Sequence, residues 1–253
     1  MIKVLIIVFV LLSLLAGGDR TAKSLMTTAI NVTIFAVLIE LIYLGFNIVF
    51  TTAIAAILIT ATTIFYQNEN NIKTVSAFIS VVIVLVLSSF FMAFIITHAH
   101  LQGFGIVGDV KIQPSNGYEE DIGINMKLVQ VAVFIVILIG GLIDTAVAIC
   151  SGTYEIIRHN PNANRSEIIE SGMNIGCKIL SSNVNTLFFI FAGEFMIMCI
   201  SFLKFYSWGT LINSKDFTQE LIAIMISAIG TVVIIPISSY VASRFMCHRN
   251  VAD

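Results

Sequence analysis

Charge is scarce in this sequence. The 253 residues carry only 13 Lys and Arg against 15 Asp and Glu, 11% of the chain, for a net charge of -2. That is too little to clothe a water-facing surface in the usual way. Nor does it supply a basic face broad enough to hold a phosphate backbone, so nucleic acid is not an expected partner. Three prolines leave no Pro-rich linker between domains. The four cysteines, Cys150, Cys177, Cys199 and Cys247, are far apart and form no CxxC pair. They read as small apolar packing residues, not as a disulfide framework or a zinc site. Also missing are GxxxxGK[ST], HExxH and GxSxG, so ATP hydrolysis, zinc proteolysis and serine hydrolysis lack their motifs; neither enzymatic activity nor a cofactor is expected. His98 and His100 stand two residues apart, which on a helix sends them to nearly opposite sides and argues against a metal site with the acids that follow.

What the chain has in abundance is apolar length. Hydrophobic residues make up 58% of it and the mean hydropathy is +0.99, the balance of an integral membrane protein. Apolar stretches near 26-45, 47-65, 74-97, 126-150, 179-203 and 219-243 each approach the ~20 residues needed to cross a hydrocarbon core of ~30 Å. Val4–Ala16 is shorter, follows Lys3 and ends in Ala16-Gly17-Gly18; it reads as a short first helix, with a cleaved signal peptide as the alternative. The predicted fold is thus all-α with six to seven transmembrane helices. Residues 1-25 form the short helix and an inner loop, 26-97 three spans, 98-125 an acidic outer loop, and 126-253 three more spans.

Basic residues in the short connections set the orientation. With an inside C-terminus, Arg20, Lys23, Lys73, Arg158, Arg165, Lys178, Arg244 and Arg249 fall inside, and Lys3, Lys111, Lys127, Lys204 and Lys215 outside. The majority favours an inside C-terminus. Between the last-but-two and last-but-one spans lies Tyr154–Lys178. Asn160-Pro161 breaks the preceding helix, because a residue before proline is pushed from the helical region. Asn164 with Glu167 three residues on reads as a capping-box-like start. From there Ile168, Gly172, Ile175 and Ile179 recur at helical spacing opposite Glu167, Glu170, Asn174 and Lys178, which predicts an amphipathic helix near 165-178 lying at the inner interface and running into the next span.

Asp144 interrupts the apolar run Val131–Ile143. An ionised Asp at a helix centre costs at least ~2.5 kcal/mol on insertion scales, so it should face a partner or water and not lipid. Gly140, Asp144, Ala148 and Gly152 recur every four residues, a small-residue stripe that lets a neighbour approach closely. Thr145 adjoins the acid. In the next span Ser181, Ser182, Asn185 and Thr186 fall on one face, with Asn183 to one side, and the last span adds Ser227, Gly230, Thr231, Ser238 and Ser239, with Pro236 expected to kink it. A carboxyl ringed by such groups can gain and lose a proton as water access changes, the requirement for a relay formed by Asp144, Thr145, Ser182, Asn185 and Thr186. The alternative is that Asp144 only hydrogen-bonds its neighbour and fixes helix register. Glu40 and Glu194 also sit in apolar surroundings, but near outer span ends where a carboxylate reaches water.

From Gly140 onward the chain resembles the YibE/F family of bacterial membrane proteins. The residues that carry the likeness are GGLIDTAVAI (140-149), SGMNIG (171-176), SNVNTL (182-187), FAG (191-193), INS (212-214), ELIA (220-223) and IGTVVIIPIS (229-238). The first half, including HLQGF (100-104), looks like the shorter members that lack a large extracytoplasmic domain. Cys177-Lys178 departs from the basic-acidic pair expected in relatives. More distantly, Ile143-Asp144-Thr145, Tyr154–Arg158 and Ala192-Gly193-Glu194 resemble the last three helices of SecF-type subunits and the RND superfamily, which implies a half bundle. The resemblance implies a subunit of a proton-gradient-driven transporter or export-assisting complex in the bacterial plasma membrane, paired with a larger homologous YibE-like subunit. The alternative is a non-transporting scaffold that assembles or stabilises a partner membrane protein.

Overall fold

Long helices dominate, as uninterrupted apolar sequence in lipid requires, since every backbone N–H and C=O must be satisfied within the chain. A computed structural model describes residues 1–68, 70–99, 124–161, 163–205 and 207–246. The helices are α1 (Ile2–Tyr43), α2 (Ile48–Ala61, continuing into a π-helical turn, Thr62–Tyr66), α3 (Ile72–Ala99), α4 (Met126–His159), α5 (Arg165–Phe205), α6 (Trp208–Ile212) and α7 (Lys215–Met246). Among the described residues no strand occurs, and six helices are long and apolar enough to cross a membrane. The protein is an all-α chain of multi-pass type. Most of the acidic segment 98-125, HLQGF (100-104), Cys247 and Arg249 lie outside the described residues.

Side-chain caps mark several starts. Asn47 accepts from the N–H of Phe50 at 3.2 Å, and Asn125 from that of Lys127 at 3.1 Å. Ahead of α5 the Glu167 carboxylate accepts from the Asn164 N–H at 3.2 Å, one half of the expected capping box. Helix α4 stops at His159, just before Asn160-Pro161.

One local expectation is corrected. Within α1 two helical stretches meet at a kink at Gly18 (φ 55, ψ -138), where glycine takes a backbone conformation that costs other residues more; the expected short first helix thus ends at the Gly17-Gly18 pair, and the inner loop expected up to residue 25 is helical from Asp19 onward. The stretch 165-178 runs on into the following span as one helix, as expected. It is the first part of the 41-residue α5, and its Ile168 and Gly172 are buried. The physical reason is the glycine content of that stripe. A Cβ at Gly172 would come within 2.7 Å of the Ser239 hydroxyl, and one at Gly176 within 2.5 Å of Ile235. The stripe therefore packs against α7 and α4, where close van der Waals contact drives association. Pro236 lies inside α7, which runs from Lys215 to Met246.

Helices α3, α4, α5 and α7 form the centre, with α4 touching the other three. Among the described residues helix α1 contacts only α2 and its π turn. One end of the bundle gathers cations and tyrosines. Lys73 lies 5.6 Å from the Tyr154 ring, Arg165 lies 4.9 Å from the Tyr240 ring, and the Arg165 Nε donates to the Ser243 hydroxyl at 3.4 Å. Tyrosine at a bundle end fits an aromatic belt.

Candidate functional site

Asp144 stands close to the middle of α4, and its neighbours differ from those expected. Its side chain is exposed on the bundle surface, as is Gly140 one turn before it. It lines a cleft of ≈ 380 Å³ between α1, the end of α2 and α4, whose polar members are Thr28, Asn31, Thr63 and Asp144 itself. Apolar Phe35, Val136 and Ile139 line the remainder with others of their kind.

Asn31 organises the far wall. Its amide nitrogen donates to the Thr63 hydroxyl at 2.8 Å, and its amide oxygen accepts from the Thr62 hydroxyl at 2.8 Å. Both threonines sit in the π turn. The single proton of the Thr62 hydroxyl is shared between Asn31 and the Leu58 carbonyl, the latter at 2.7 Å, while the Thr63 hydroxyl donates back along α2 to the Ile59 carbonyl at 2.7 Å. Thr60 does the same with Ala56. Such back-bonding competes with the regular helix ladder, and π turns recur at functional sites. Sequence reasoning missed Thr28, Asn31, Thr62 and Thr63. The available signal was an amide inside an apolar span and a run of threonines, Thr60, Thr62 and Thr63, inside the next.

The other expected relay residues do not converge on Asp144. Thr145 is fully buried and accepts from the Asn183 amide at 3.0 Å, so the contact between α4 and α5 is made one residue past the acid. Ser182, Asn185 and Thr186 are exposed. The reason is again the glycine face of α5: Gly172 and Gly176 turn inward, and the polar residues around them point away from the helices of this chain. Among the described residues Asp144 has no hydrogen-bond partner, so it does not fix the register of α4 against α5. Ser227, Thr231, Ser238 and Ser239 of α7 are fully buried. Ser227 and Thr231 face Gly141, where an added Cβ would lie 3.6 and 3.0 Å from their side chains. They occupy the inward side of α4, away from Asp144. Glu40 and Glu194 are exposed. No group of three or more His, Cys, Asp or Glu able to hold a metal occurs among the described residues, and His98 packs on Phe94 within its own helix.

If the Asn183–Thr145 bond holds α4 to α5, Asn183→Leu should cost about 0.6 kcal/mol and at most about 1.7, the range for hydrogen bonds between membrane helices. Thermal unfolding in mild detergent measures it. A variant as stable as the parent would show that the bond contributes nothing.

Neither the curated proteins nor the solved structures contain a match to this chain. A family model described as YibE/F-like protein does match, over residues 5–248. That span takes in the α1 and π-turn wall of the cleft as well as Asp144 on α4, and so nearly the whole of the described bundle: the chain belongs to the YibE/F family.

Proposed function

We propose that this protein is a bacterial plasma-membrane subunit of a transporter or export-assisting complex driven by the proton gradient, with Asp144 carrying the proton. The carrying observation is a carboxyl in mid-helix without a hydrogen-bond partner among the described residues, in a cleft with Thr28, Asn31 and Thr63. A charged side chain at that depth is costly against acyl chains, and ionisable groups placed in polar clefts within spans mark proton and ion pathways. The motifs Ile143-Asp144-Thr145 and Ala192-Gly193-Glu194, similar to those of SecF-type subunits, support the same reading. The chemistry asked of the protein is reversible protonation, with no covalent intermediate and no cofactor. The basic-residue count favours a cytoplasmic C-terminus.

The same reading includes a partner. Asp144, Ser182, Asn185 and Thr186 are exposed along the middle helices of the bundle. A larger homologous subunit packed over the outward face of α5 would take Ser182, Asn185 and Thr186 out of lipid. The outward turn of these polar groups also favours the second reading, a scaffold that stabilises its partner and moves nothing.

A hydrophobic carbodiimide, which reacts with protonated carboxyls, tests the first reading. In native membranes Asp144 should be modified, and the modification should fall as pH rises because the carboxylate form is unreactive. Peptide mapping by mass spectrometry locates the adduct. An Asp144 that stays unmodified from acid to neutral pH would remove the proton carrier.

A further inference from the structure

Three polar residues recur on one face of α1 at helical spacing, Ser24, Thr28 and Asn31. Ser24 accepts from the Gln67 side-chain amide at 3.0 Å, Thr28 lines the cleft, and Asn31 is bonded to Thr62 and Thr63. The face runs from the Arg20 and Lys23 end of α1 to the level of Asp144. The walls of the cleft are polar at this end and apolar past Asp144, where Phe35, Val136 and Ile139 lie. Its ≈ 380 Å³ has room for on the order of ten waters at about 30 Å³ each; most of the wall is apolar, and Thr28, Asn31, Thr63 and Asp144 supply the polar partners that a water needs at this end.

We propose that the cleft between α1 and α4 is a one-sided water route along which Asp144 exchanges its proton with the Arg20 and Lys23 end of the bundle, entered past the Ser24–Gln67 bond and closed at the other end by Phe35. This rests on Asp144 being the proton carrier and adds the side from which the proton comes. The wall is suited to holding water. Thr28 is exposed, and its hydroxyl donates only to the Ser24 carbonyl of its own helix at 3.0 Å, so its lone pairs remain open to solvent.

The test uses the full chain in sealed vesicles of known orientation, with its four native cysteines changed to serine. Thr28→Cys reports on the cleft and Ile39→Cys, on an exposed stretch of α1 outside it, reports on the lipid face. A charged, membrane-impermeant methanethiosulfonate applied on the Arg20 and Lys23 side should modify Thr28→Cys at least tenfold faster than Ile39→Cys. Applied on the opposite side it should modify neither. Equal slow rates from both sides, or faster reaction from the opposite side, would overturn the route. If Thr28→Cys does not accumulate, Asn31→Cys takes its place with the same expected result. Carbodiimide modification of Asp144 is read in the same vesicles. Asp144 modified beside an unreactive Thr28→Cys overturns the water route alone, and Asp144 unmodified overturns the proton carrier and the route with it.

Discussion

Asp144→Asn is expected to bring proton uptake to the level of protein-free liposomes, at least a tenfold loss, while leaving expression and melting temperature unchanged within about 1 °C. Both halves follow from one environment. The amide has the shape of the carboxyl but cannot gain and lose a proton near neutral pH, so any step that needs Asp144 to titrate stops. Stability is spared because the side chain is exposed and has no hydrogen-bond partner among the described residues. A neutral amide at that depth also avoids the ~2.5 to 3.5 kcal/mol that an ionised Asp costs on insertion scales. The measurement is acidification of an entrapped pH dye in proteoliposomes holding the chain with whatever membrane subunit copurifies. Unchanged uptake would end the relay reading. If partner recovery fell in step with uptake, the scaffold reading would replace it.

Gly172→Leu should have the largest effect on folding. An added Cβ at Gly172 meets the Ser239 Oγ at 2.7 Å, its Cβ at 2.9 Å and its Cα at 3.3 Å. The last of these is backbone inside α7 and cannot swing away as a side-chain tip could. Overpacking of this kind costs about 1 to 3 kcal/mol or more, and leucine adds three further carbons to the clash. The variant should melt well below the parent and be recovered poorly. Gly140→Ala is the contrast, because nothing lies within 4 Å of a Cβ there and alanine is favoured over glycine in a helix by about 0.8 to 1 kcal/mol. It should leave stability unchanged or raise it, unless a partner subunit packs on that face, in which case recovery of the complex falls while the isolated chain does not change. A Gly172→Leu chain as stable as the parent would mean that α5 and α7 are not packed as described.

The spans were legible because each is a run of apolar residues near 20 long, and the cost of bringing polar groups into lipid makes such runs a nearly sufficient signal. The helix end before Pro161 and the Glu167 cap were legible for a local reason, since both depend on residues within one turn. Asp144 was legible as an anomaly of charge in an apolar helix. Its surroundings were not. Polarity points to Ser182, Asn185 and Thr186 as the acid's partners, yet the glycines that decide which side of α5 faces inward look, in sequence, like part of an interfacial helix. Asn31 is uncharged and stands out less, and its role comes from Thr62 and Thr63, some 30 residues away, which no local spacing links to it.

By itself, then, the sequence determined that the chain lives in a bilayer, how many helices are long enough to cross it, and which carboxyl is out of place among apolar residues. These are properties of composition and local periodicity, and each can be summed along the chain. Which groups surround Asp144 was decided only in three dimensions. Glycine contacts between α5 and α7 turned one polar face outward, and the loosened π turn of α2 brought two hydroxyls to Asn31. Contact between residues far apart depends on which helix faces can approach most closely, and that is a property of pairs of helices, not of either one alone.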